Sequence, residues 1–120
     1  MATKTEHLTK SANNETFAGS LDTSSATGIE WKLTALFYAA VHYIQAYLIG
    51  SSKGPITNHS QRDSAIFRDA KIRPIYVDYQ ELKTHSRDAR YEANSGFTTS
   101  DVEKQQRNLA AIKAEVAKHL

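Results

Sequence analysis

No cysteine occurs in the 120 residues, which excludes disulfides, thiolate catalysis and sulfur-ligated metal and suits a reducing cytoplasm. No stretch alternates apolar and polar residues in the way a half-buried strand does, and there is no internal repeat or low-complexity tract. Charge of one sign is also scarce: the formal net charge of +2 is too small to mark a dedicated polyanion surface. Within it, Lys53 to Arg90 hold eight Lys/Arg against five Asp/Glu, so the middle of the chain is mildly basic. The opening residues, MATKTEHLTKSANN, have no apolar run of the kind a signal sequence needs. A chain of this length supports one hydrophobic core, hence a single domain over 1–120.

What the chain has is helical periodicity. Ile29, Leu33, Leu36, Phe37, Ala40, Val41, Ile44 and Leu48 recur at steps of three and four, the apolar stripe of a helix over about 27–49. Trp31, Tyr38, His42 and Ile49 occupy its other side, so the helix is expected to be surrounded by neighbours. Residues 33–49 carry no formal charge, a borderline membrane length, but their histidine, glutamine and tyrosines need polar partners, which points to a buried central helix and no membrane. Thr27 with Glu30 reads as its capping box and Gly50 as its left-handed stop. Ser100 with Glu103 opens a last helix over about 101–119. Pro74 starts one over about 74–92, Asn58 with Gln61 caps a shorter one through Ala70, and Thr3 with Glu6 opens one ending near Gly19. The expected fold is all-α, an up-down bundle of four main helices plus one short helix.

The chemistry-bearing residues are few. GSSKGP at 50–55 follows a helix rather than a strand and reads as a helix stop and turn, not a phosphate cradle. The five histidines fall into no metal-binding pattern, so neither a metal nor another cofactor is expected. His42, four residues after Tyr38, calls for a hydrogen-bond partner in a polar part of the core, with Tyr79 and Tyr91 as candidates. His59 and Arg62 sit at a helix start, where exposed amides favour an anion or simple capping. THSRDARYE places His85, Arg87, Arg90 and Tyr91 on one helix. Arg fits phosphate bidentately and an aromatic gives a base something to stack on; ion pairs to Asp63, Asp69 or Asp78 would neutralise the same cations without a ligand.

WKLTALFYAAVHYIQAYLIG, then NHSQR, then YQELKTHSRDARYEANSGFTTSDVEKQQRNLAAIKAEV resembles, in order and spacing, the HEPN (higher eukaryote and prokaryote nucleotide-binding) family. The resemblance implies a four- or five-helix bundle, usually a homodimer, in a prokaryotic defence or toxin–antitoxin setting. Many members are metal-independent endoribonucleases in which an Arg precedes a His by four to six positions and the paired motifs meet across a dimer cleft. No Arg of this chain stands at that distance before a His: Arg73 is twelve short of His85 and Arg107 twelve short of His119. His59 with Arg62, and His85 with Arg90, run in the reverse order. The expectation is a non-catalytic module that binds a nucleotide, RNA or a protein partner through Arg87, Arg90, Tyr91, His59 and Arg62. The alternative is an endoribonuclease whose catalytic groups come from His59, Arg62, His85 and Arg90.

Overall fold

The structure, a computed structural model, describes residues 2–53 and 56–120 and builds them around one helix. Five helices follow in order: α1 (Lys4–Ser20), α2 (Ala26–Gly50), α3 (His59–Arg68), α4 (Tyr76–Tyr91) and α5 (Thr99–Ala117), with a 3₁₀ turn at Arg73–Ile75 before α4. No strand occurs among the described residues. α2 packs against α1, α4 and α5, while the shorter α3 and the 3₁₀ turn close over α4. The bundle measures 41 × 24 × 24 Å.

The stripe read from α2 is the core: Leu33, Leu36, Phe37, Ala40, Ile44 and Leu48 are buried, joined by Ile66, Tyr79, Leu82, Ile112 and Val116 from the other helices. Burying side chains of this size stabilises by about 1.5–3 kcal/mol each. α2 is also apolar enough, by length and composition, to cross a membrane, but 72% of its most apolar window lies inside the protein.

The helix starts show where local pattern was overruled. Thr3 with Glu6 closes the expected capping box, each side chain meeting the other's N–H at 3.1 Å. Asn58 caps α3 as expected, accepting the Gln61 N–H at 2.8 Å. At α2 the cap is Ser25 rather than Thr27: its hydroxyl accepts the Gly28 N–H at 3.0 Å. Gly28 permits this start because a Cβ there would fall 1.7 Å from the Asp22 carbonyl oxygen. Glu30 is thereby released from capping. At α5 the cap moves two positions earlier, to Thr98, whose N–H donates to the Asp101 carboxylate at 2.8 Å, so Ser100 and Glu103 lie inside the helix. Gly50 remains helical, and the left-handed residue of that turn is Ser52, with φ 64°. The rest of GSSKGP, Gly54 and Pro55, lies outside the described residues.

α3 stops at Arg68, short of Ala70, because Asp69 turns inward in an extended conformation. Its buried carboxylate accepts from Tyr47 Oη at 2.6 Å, Lys53 Nζ at 2.8 Å and the Lys71 N–H at 2.9 Å. Burial alone would raise its pKa, but these three donors outweigh it and hold the group at about 2. Asp69 is therefore a structural acid pinning the α3 end to α2.

Candidate functional site

One stripe of α2 is not covered. Trp31 is 54% exposed and Tyr38 and His42 are half-buried, against the expectation that neighbours enclose this helix on every side. The stripe runs beside the end of α4. There Ser86 and Ala89 face inward at the helical step of three, Arg90 follows at the edge, and Tyr91 is 77% exposed. Glu30, Trp31, Thr34, Ala89, Arg90 and Tyr91 line a pocket of about 400 Å³ between the two helices.

Arg90 gives this pocket its chemistry. Its guanidinium donates to the Ser86 hydroxyl and lies over two rings, 5.6 Å from the Tyr38 centroid and 5.5 Å from that of Tyr91. No carboxylate pairs with it among the described residues. The acids proposed to neutralise it are engaged or set apart. Asp63 is taken by Lys83 and Asp69 by Lys53, while Asp78 forms no ion pair among the described residues and is shifted up by burial and by Glu81. A cation resting on aromatic faces keeps its outward N–H groups for a ligand. Opposite it, Glu30 accepts the Ser95 hydroxyl at 2.8 Å through one oxygen.

The expected set of cations divides. Arg90 and Tyr91 meet in the pocket. Arg87, 65% exposed at its side chain, makes only a 3.4 Å pair with Asp88 and does not line it. His85 is a packing residue, its Nδ1 against the Glu81 carbonyl at 3.0 Å and its ring stacked on Phe97 with centroids 4.9 Å apart. The reversed His85–Arg90 pair therefore has no common site. Trp31 shares the α2 stripe of Tyr38, seven positions on, and Glu30 lines the pocket because Ser25, not Thr27 with Glu30, caps α2.

The His59–Arg62 pair does form, and it brings company. Arg62 Nη1 donates to His59 Nδ1 at 3.0 Å. His42, expected to bond Tyr79 or Tyr91, instead meets His7 of α1, Nδ1 to Nδ1 at 3.0 Å with the rings stacked at 5.2 Å. Tyr79 packs its ring 5.7 Å from Phe37, and its buried hydroxyl lies beside the Arg62 guanidinium. Burial first, then the positive charges of the neighbourhood, depresses all three imidazoles. His42 falls to about 4 through burial, His7, Lys10 and Arg62; His59 is lowered by burial, Arg62 and Lys83; His7 is lowered by burial and Arg62 despite Glu6. They are neutral at pH 7, and in the His7–His42 pair one nitrogen donates to the other's lone pair. Nothing in the residues around His7 marks it, since its partner His42 lies 35 positions away.

No group of three or more His, Asp or Glu side chains among the described residues converges as a metal site. Compared with known proteins, the chain matches no family model, no curated protein and no solved structure.

Proposed function

We propose that the chain is a HEPN-like module that binds a nucleotide, free or within RNA, in the pocket between α2 and α4. The observation that carries this is Arg90: an arginine without a carboxylate partner on the wall of a pocket that also presents two exposed aromatic rings, Trp31 and Tyr91. Arg binds phosphate with a fork of charge-assisted hydrogen bonds, and a base stacks on indole or phenol irrespective of its sequence. The free oxygen of Glu30 suits a ribose hydroxyl, a role carboxylates fill in dinucleotide sites. One phosphate, one base and one sugar thus each find a partner of the right kind. The homodimeric state and the defence or toxin–antitoxin setting implied by the resemblance belong to the same proposal, and sedimentation velocity tests the first of them.

Trp31 is the single tryptophan, so its fluorescence reads the pocket directly. A nucleoside monophosphate is expected to quench it saturably, the nucleoside without phosphate more weakly, and Arg90→Ala to lower affinity roughly tenfold to a hundredfold, the worth of a charged hydrogen-bond pair. No saturable quenching, or equal affinity in Arg90→Ala, defeats the assignment.

A second reading, a metal-independent endoribonuclease, is favoured by two pairs, His59–Arg62 and His7–His42, with Arg62 within electrostatic reach of the second. Neutral imidazoles beside a guanidinium are suited to acid–base help and phosphorane stabilisation. Labelled RNA cleaved in EDTA by the wild type and left intact by His59→Ala would replace the binding function with this one.

A further inference from the structure

Arg62 is 7% exposed, and no ion pair among the described residues includes it. Its hydrogen-bond partner is the neutral His59, and the buried hydroxyl of Tyr79 lies beside its guanidinium. A buried guanidinium ordinarily carries a carboxylate, because its lost hydration must be replaced by opposite charge. The adjacent acid, Asp63, pairs with Lys83 through one oxygen; its other oxygen is buried without a hydrogen bond, and it makes no ion pair with Arg62. A permanent positive charge is thus built into the protein without an ion pair of its own among the described residues.

Of the charged groups that bear on His59, Asp63 opposes an anion, while Arg62, Lys83 and Arg90 favour one. His59 is the first residue of α3, a ten-residue helix whose opening N–H groups carry partial positive charge, and Asn58 occupies only the Gln61 N–H of that turn. His59 is exposed, so the cluster is open to solvent at this turn. The stacked His7–His42 pair stands within electrostatic reach of Arg62. Its rings, kept neutral first by burial and then by nearby positive charge, supply hydrogen-bonding nitrogens, and an arriving anion would offset the second of these. None of these residues lines the Trp31 pocket.

We propose that Arg62, His59 and the His7–His42 pair form an anion site for a phosphate group, separate from the pocket between α2 and α4. The phosphate comes either free or from a nucleic-acid strand, and the site stands whether or not the pocket binds a nucleotide. Imidazole resonances of the full chain, followed by NMR, test it. Inorganic phosphate is expected to shift the His7, His42 and His59 signals saturably and to raise their pKa values, which chloride at equal ionic strength does not do. His59→Ala carries the comparison, because deleting buried Arg62 can unfold α3; it is expected to weaken phosphate roughly tenfold, about one charged hydrogen bond. Repeating the titration with a short oligonucleotide separates the sources: tighter binding than free phosphate, again weakened in His59→Ala, assigns the site to a strand, and its absence assigns it to free phosphate. Shifts that follow chloride, or equal phosphate affinity in His59→Ala, overturn the site. Trp31 fluorescence reports the pocket independently, so each can fail without the other.

Discussion

Acid should loosen the α1–α2 contact through His42. Its pKa falls from the ordinary 6.5 to about 4 on folding, so the unfolded chain takes up the proton first. Stability is then intact above 6.5 and is lost as pH falls from 6.5 towards 4. The drop sets a ceiling of about 3.4 kcal/mol, at 1.36 kcal/mol per pH unit. His42 is only half-buried and water screens part of this, which brings the expected loss to about 1–2 kcal/mol. Burial lowers the His42 pKa first, and the groups that bear on it, His7 and Lys10 of α1 and Arg62 of α3, are cationic or become so in acid and lower it further. Urea unfolding at about pH 7.5 and about pH 4.5 measures the change. His42→Gln keeps a polar partner for His7 without titrating, and it should lose about 1–2 kcal/mol less than the wild type over that interval. Asp78, whose raised pKa contributes in the opposite direction, is common to both proteins and cancels. Equal losses in the two proteins would refute the coupling of His42 protonation to folding.

Three further perturbations bear on the frame that holds the site. Gly28→Ala should cost about 1–3 kcal/mol, since a Cβ 1.7 Å from the Asp22 carbonyl oxygen forces backbone apart; thermal unfolding at wild-type stability would disprove that start for α2. Asp69→Asn leaves Lys53 without its anion and Tyr47 with a weaker acceptor, an expected loss of about 2–3 kcal/mol by chemical denaturation. In the wild type the Asp69 contribution, with the pKa lowered from 3.8 to about 2, is complete above 3.8 and should fade only as pH falls towards 2, well below the His42 transition. Arg87→Ala should leave nucleotide affinity within about twofold of wild type in the Trp31 assay, because Arg87 lies outside the pocket; a drop matching that of Arg90→Ala would return it to the site.

Five helices, the central place of α2 and the start of α1 were legible from residue order alone. Apolar steps of three and four and a Thr-x-x-Glu box act within one or two turns, so they need nothing from the rest of the chain. The same local rule failed at Thr27 and Ser100, where a competing cap a few residues earlier won; at α2 the Asp22 carbonyl, packed close over Gly28, accompanies the earlier start. Which cations remained available was beyond any local rule. Arg87 and Arg90 look alike in sequence, yet only Arg90 reaches the rings of α2, and the acids that might have silenced it were claimed by Lys53 and Lys83. His7 and His42 stand 35 positions apart and meet only because α1 packs along α2 in one register. Spacing along a chain prescribes which face a side chain takes; the partner it finds there depends on how helices distant in sequence slide and turn against each other, and that is decided by the packing of the whole core.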